Sequence, residues 1–262
     1  MADELGARLD CVTRRFDRVL ELGSSGGRYG ERFAGAELHV IADPAPGPGV
    51  GVVCDEDRLC FADGSFDLIL ATGTLHSVND LPGMLALARR ILKPDGLLLA
   101  AFAGGETLER LRAVLLTADL AARDAAAARV HPMVDVRAAG GLLQRAGFAL
   151  PVVDSERLTL RYRGLFALLD DLRAMGETSC LRVRSPLCRE ALAKAAEIFA
   201  NAADADGKTA ETVEILYLTG WAPHPDQPKA LRPGTARVSL TQVLPTRQNG
   251  GDKGLIPGNR KV

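Results

Sequence analysis

The sequence predicts an α/β fold built on a doubly wound, mostly parallel sheet with helices on both faces. Three observations predict it. Short continuous apolar runs alternate with segments of helical period, the pattern of a parallel sheet covered on both sides. The first run stops at a Gly/Ser turn, Gly23-Ser24-Ser25-Gly26-Gly27, as the first strand of such folds does. Acidic residues close the next two runs.

The length of 262 residues suits one large domain, or at most two small ones. A composition of 47% apolar and 25% charged residues is that of an ordinary globular chain. The net charge of −1 argues against a nucleic-acid or membrane-surface partner. No apolar run approaches the roughly 20 residues of a transmembrane segment. Met1-Ala2-Asp3-Glu4 opens acidic, and no secretory signal follows. Cys11, Cys54, Cys60, Cys180 and Cys188 show no paired spacing, which predicts reduced thiols and a cytoplasmic setting. The four histidines form no Cys/His cluster, so no metal site is expected.

The elements follow in order. Residues 3–15 form a short amphipathic helix. Strands follow at Val19–Leu22, Leu38–Ala42, Val50–Val53, Phe66–Ala71 and Leu97–Phe102, with a short helix near Arg28–Phe33. The helix at 80–92 has the clearest local signals. Asp80 can cap it, Pro82 sits in its first turn, and Leu81, Met84, Leu85, Ala88, Ile91 and Leu92 recur at helical spacing. Lys93-Pro94-Asp95-Gly96 ends it as a turn. A second such helix runs from about Asp135 to Ala146. Phe148–Val153, Leu158–Tyr162 and Val213–Trp221 read as strands, with helices at about 164–175 and 186–204. The helical stretches 105–133 and 164–204 exceed what a minimal sheet needs, and are predicted to cap its carboxyl edge. Residues 1–244 then form the domain. Residues 245–262, rich in Gly, Pro, Asn and basic residues, read as a disordered tail.

Chemistry concentrates at the strand ends. Small residues after the first strand let backbone approach a ligand, and a helix N-terminus offers free N–H groups. Asp43, about 20 residues on, stands where a ribose-binding carboxylate belongs in a Rossmann-like site. Asp55 and Glu56 end the third strand. Each feature alone is ordinary turn chemistry; three at successive strand ends are far more specific. The dinucleotide fingerprint G-x-G-x-x-G is not matched by Gly23, Gly27 and Gly30, which argues against NAD.

Glu21-Leu22-Gly23…Gly27, Asp43, Asp55…Phe61-Ala62-Asp63-Gly64-Ser65-Phe66-Asp67 and Leu92-Lys93-Pro94-Asp95-Gly96 together resemble class I S-adenosylmethionine (SAM)-dependent methyltransferases. Leu75-His76-Ser77-Val78-Asn79-Asp80, Gly104-Gly105-Glu106-Thr107-Leu108, Met175-Gly176-Glu177 and Gly220-Trp221…His224…Gln227 resemble one branch, the complex I assembly-factor family. The mitochondrial member of that family is an arginine hydroxylase acting on an iron–sulfur subunit of complex I. The resemblance spans about residues 3–243. It implies a seven-stranded, mostly parallel Rossmann-like sheet with helical cap insertions, SAM as cofactor, and an iron–sulfur subunit of complex I as partner.

By position, the resemblance places Glu21, Gly23, Ser24, Ser25 and Gly27 around the methionine part of SAM. Asp43 falls on the ribose hydroxyls, Asp55 and Glu56 along the adenine, and Thr72 beside the sulfonium. His76, Glu106, Arg161 and Tyr162 are the substrate-side candidates. Each has a plainer reading: His76 as a helix-capping loop residue, Glu106 as an early-turn acid, Arg161 and Tyr162 as strand residues, and Trp221 as core. Two positions depart from the family pattern. Ser25 replaces a usual glycine and Ser77 a usual tryptophan. Only some fifteen residues precede the first strand, where the family tends to carry a segment that closes over SAM. These departures motivate an alternative, a catalytically weak or inactive assembly chaperone. A malonyl-acyl carrier protein carboxyl methyltransferase shares the early motifs, but the motifs after residue 104 argue against it. No nucleophile or catalytic dyad stands out in the sequence.

Overall fold

Burial decides which strands lie at the centre. β4 (Phe66–Thr72) is buried from Phe66 through Ala71, on both faces. It lies between β1 (Arg18–Leu22) and β5 (Leu92–Gly104), parallel to both. β2 (Leu38–Asp43) and the two-residue β3 (Val52–Val53) extend the parallel sheet beyond β1. On the other side, β7 (Thr209–Trp221) runs antiparallel to β5, and β6 (Ala149–Tyr162) antiparallel to β7. The order β3-β2-β1-β4-β5-β7-β6 makes a seven-stranded, mostly parallel sheet. The computed structural model describes residues 1–23 and 28–228. The chain divides into two units, Met1–Pro225 and Asp226–Val262, and the sheet belongs to the first. The tail expected over 245–262 lies outside the described residues.

Helices cover both faces because each carries one apolar stripe. α2 (Leu81–Ile91) and α4 (Val136–Arg145) bury Met84, Leu85, Ala88, Ile91, Ala139, Leu142 and Leu143 against one face of the sheet. Burying each of the larger of these side chains contributes about 1.5–3 kcal/mol. Both helices start where the sequence signals it: Asp80 accepts from Gly83 N–H at 2.9 Å and Asp135 from Ala138 N–H at 2.8 Å. α1 (Ala2–Asp10) puts Leu5 and Leu9 on the other face with Tyr29 and Phe33. α3 (Glu109–Arg123), α5 (Leu165–Ala174) and α6 (Arg189–Asn201) form a separate apolar cluster through Leu111, Leu115, Leu165, Leu168 and Phe199. Among the described residues, no helix is long and apolar enough to cross a membrane.

The structure departs from the sequence reading in four places. Residues 28–35 are consecutive turns rather than a helix, with a single i+4 bond, Phe33 N–H to Tyr29 O. The segment is short and glycine-rich at its start, so helix nucleation costs more than it returns. The Lys93–Gly96 turn is absorbed into β5: Asp95 adopts φ +62°, and its N–H and the Gly96 carbonyl bond Ala222 at 3.0 and 2.7 Å. The two strands read at 148–153 and 158–162 are one strand. Their polar junction, Asp154–Arg157, keeps its register with β7 because an edge strand need not bury it. α1 ends at Asp10, well before the expected residue 15.

Candidate functional site

Parallel strands bring their carboxyl ends to one edge, and the order reverses between β1 and β4. Such a switch point leaves a crevice. Here it is a mostly polar cavity of about 430 Å³, touched by Gly23, Asp43, Glu56, Thr72, His76 and Glu177.

Gly23 is fixed by two constraints. Its φ is +79°, and a Cβ would lie 3.0 Å from the Thr72 carbonyl oxygen and 3.3 Å from Thr74. Only glycine relieves both. Its N–H donates to Ala42 O at 3.0 Å, tying the β1 end to β2. Ser24, Ser25 and Gly27 lie outside the described residues. Glu21, two residues earlier in β1, is fully buried, with Oε2 at an ion-pair distance of 3.4 Å from His39 Nε2. Asp43 ends β2 and accepts the Ala45 N–H at 2.9 Å. Thr72 Oγ1 lies 3.2 Å from Tyr29 Oη, which also donates to Ala2 O at 3.1 Å. The start of α1 thereby reaches the cavity wall.

Asp55 does not line the cavity; it caps the short 3-10 turn Glu56–Arg58, accepting Asp57 N–H at 3.0 Å. That turn aims Glu56 inward, where it is buried and accepts from Thr74 Oγ1. Burial pushes the Glu56 carboxyl above the ordinary range. The Thr74 bond works against that rise, and negative Asp43 and Asp55 add to it. Asp57 locks this loop to the next. It accepts Asn79 N–H, Asn79 Nδ2 and Asp80 N–H at 2.8–3.0 Å. Partial burial opposes ionisation of Asp57, but these bonds outweigh it and hold its carboxyl below the usual value.

His76 follows β4 and stands at the opposite wall. It does not cap α2, a role Asp80 fills. Its Nε2 lies 2.9 Å from Glu177 Oε2. Glu177 is held there by backbone geometry. Gly176, at φ +79°, ends α5; its N–H bonds Arg173 O at 3.0 Å, and Glu177 N–H bonds Leu172 O at 2.8 Å. This pair of bonds is a Schellman motif, which explains the glycine before the glutamate. Sequence reasoning singled out Met175-Gly176-Glu177 but gave Glu177 no role, and it missed Thr74 and Tyr29.

Beyond this wall lies a second, mostly apolar cavity of about 260 Å³, lined by Leu108, Leu111, Leu115, Met133, Leu169 and Leu172 with the same His76 and Glu177. Among its described lining residues, the partly buried Arg129 is held by Asp119 through two bonds of 2.6 and 2.8 Å.

The other substrate-side candidates stand apart. Glu106 sits past β5, 3.2 Å from Arg157 Nη2, and its N–H donates to Glu214 Oε2 at 3.0 Å. Gly105 precedes it because a Cβ there would fall inside contact distance of the Glu214 carboxylate. Arg161 pairs with Asp204 and Asp206, both at 2.7 Å. Tyr162 is buried in the α3–α5–α6 cluster, and burial beside Asp171 raises its phenol above the ordinary value. Trp221 packs partly buried against the α1 face. Among the described residues, no group of three or more His, Cys, Asp or Glu is placed to hold a metal ion.

A family model described as a methyltransferase domain matches residues 20–100. Arginine-hydroxylase NDUFAF5, mitochondrial, of Danio rerio is 37% identical over 198 residues, which is 75% of this chain and 62% of that protein. The chain thus spans less than two thirds of that relative's length. The Homo sapiens protein of the same name is 35% identical over 279 residues, 100% of this chain and 79% of that protein. A malonyl-[acyl-carrier protein] O-methyltransferase of Laribacter hongkongensis is 30% identical over 249 residues, 85% of this chain and 82% of that protein. The crystal structure of the Bacillus subtilis YcgJ protein has the same fold, with a TM-score of 0.58 at 14% identity, covering 86% of this chain and all of that one. Strand order, glycine cradle and these matches agree: the chain has the class I SAM-dependent methyltransferase fold and belongs to the family of arginine-hydroxylase NDUFAF5.

Proposed function

We propose that the chain is a SAM-binding enzyme that modifies a protein acceptor, an iron–sulfur subunit, during assembly of respiratory complex I. The observation that carries this reading is the pairing of a polar, glycine-floored cavity with an apolar one across the His76–Glu177 wall. The residues of the polar cavity fit SAM by their chemistry. Gly23 leaves room for a ligand backbone-close to β1, and Asp43 offers a carboxylate at the ribose position. Glu56 stands on the adenine side, fixed through Thr74 and the Asp55 cap. Thr72 and Tyr29 border the methionine end. When bound, SAM supplies an electrophilic methyl group on a sulfonium. What the chain itself provides is alignment, which can supply much of a rate where no nucleophile is needed.

The whole-length relation to NDUFAF5 supports the protein acceptor, and the name of those relatives makes an arginine the residue to inspect first. The five cysteines, without paired spacing, support a reducing cytoplasmic setting. Two measurements test the proposal. Calorimetry should show heat on adding SAM; no heat and no thermal shift at millimolar SAM would leave only a chaperone. Mass spectrometry of complex I subunits, from cells with and without this protein, should show one subunit losing an added methylene, or an added oxygen where an external oxidant such as dioxygen supplies it. An unchanged pattern, with malonyl-acyl carrier protein methylated instead, overturns it in favour of the carboxyl methyltransferase.

A further inference from the structure

His76 carries a second ring nitrogen that the wall does not use. Nδ1 is closed to solvent and has no hydrogen-bond partner among the described residues, in a side chain only 9% exposed. Leaving a buried polar atom without a partner is costly, so such atoms call for a reason. The Glu177 contact fixes which kind of atom it is. A carboxylate only accepts, so Nε2 must carry the proton that bonds it. In the neutral ring, a proton on Nε2 leaves Nδ1 bare. Nδ1 is therefore a lone pair, a hydrogen-bond acceptor held in one tautomer by Glu177.

The surroundings say what could meet it. His76 lines the apolar cavity formed by α3, α5 and residues 129–133. The cations lining that cavity are already matched, Arg129 by Asp119 and Arg173 by Asp170, and the Glu177 carboxylate accepts the His76 Nε2 proton. Residues 178–180 line the same cavity, form neither helix nor strand, and can shift without breaking an element or the Glu177 contact. We propose that this cavity is the acceptor site, and that it takes an apolar stem ending in an N–H or O–H donor, read by His76 Nδ1. Glu177 is a positioning residue that acts through the imidazole. The inference rests on the enzyme reading for its biological meaning. Its test needs no SAM, so the two fail separately.

The test uses the whole protein, with 3-methylbutan-1-ol and 2-methylpentane as probes, a pair that differs by hydroxyl against methyl. Two-bond nitrogen–proton NMR of the ring should show His76 protonated on Nε2 and bare on Nδ1. The alcohol should shift the Nδ1 resonance and the methyls of Leu111, Leu115 and Leu172. The hydrocarbon should shift the methyls alone. In His76→Phe, which keeps a ring of similar size, the affinity ratio should move toward the hydrocarbon by about tenfold, as expected for one lost hydrogen bond. Glu177→Gln, whose side chain can donate as well as accept, should give mixed tautomers and part of that change. A proton on Nδ1 in the wild-type protein overturns the proposal. So does an unchanged ratio in His76→Phe, or the absence of any methyl shift with either probe.

Discussion

The two cavities on either side of His76 are built by different means. The polar one is made by chain ends: a glycine that no other residue replaces, a carboxylate closing β2, and a capped turn that presents Glu56. The apolar one is made by packing: leucines of α3 and α5 over a partly buried Arg129–Asp119 pair. The first depends on backbone geometry at a few positions and the second on many side chains. That difference teaches why motifs shared across the superfamily fall in the N-terminal half, whereas those marking the narrower branch fall mainly after residue 104.

Substitutions can break one cavity while sparing the other. The largest effect is expected from Asp119→Ala. It removes both carboxylate bonds to the partly buried Arg129, leaving its bond to the Ser185 carbonyl, and should cost about 1.5–3 kcal/mol in urea unfolding. SAM binding by the surviving folded fraction should be little changed. A parallel loss of SAM affinity would show that the two cavities are not independent. Gly23→Ala comes next. The strained φ and the Thr72 oxygen at 3.0 Å should cost about 1–3 kcal/mol. It should also weaken SAM by tenfold or more in calorimetry, while the alcohol probe still reaches the apolar cavity.

The smallest effect is a pH dependence at Glu56. Its folded carboxyl is raised by burial above the unfolded value, so the folded state holds the proton more tightly. The stability this gives is present at low pH and is lost as pH rises through the folded value. Glu56→Gln cannot ionise. Its melting temperature relative to wild type should therefore climb as pH rises above about 4.5, and level off once pH has passed the raised folded value. A flat difference across that range would show that Glu56 is not the titrating group.

The sequence made some of this legible and hid the rest for physical reasons. α2 and α4 were readable because Asp80 and Asp135 sit three residues before the N–H groups they cap, all within one segment. Gly23, Asp43 and Glu56 were readable because strand ends in a parallel sheet converge by topology. The His76–Glu177 contact was not, since it joins residues 101 apart through a Schellman turn. Asp57 carries no signal in the sequence, yet it ties two loops by bonding Asn79 and Asp80. Glu211 likewise falls outside the strand read at Val213–Trp221 and has no local signal of its role. It serves as the cap of α3, bonding Leu111 N–H at 2.8 Å, because Leu108 at the cap position has no oxygen to offer. In each case the partner lies far along the chain, where periodicity carries no information.

Tyr29 also donates to Ala2, and Met1 Sδ lies within 3.9 Å of where a side chain on Gly73 would begin. The amino end of α1 is therefore a neighbour of the polar cavity. An affinity tag or reporter fused ahead of Met1 would emerge at that cavity's rim. A tag there would crowd whatever enters the polar cavity, so a tagged and a tag-free sample compared by calorimetry should differ.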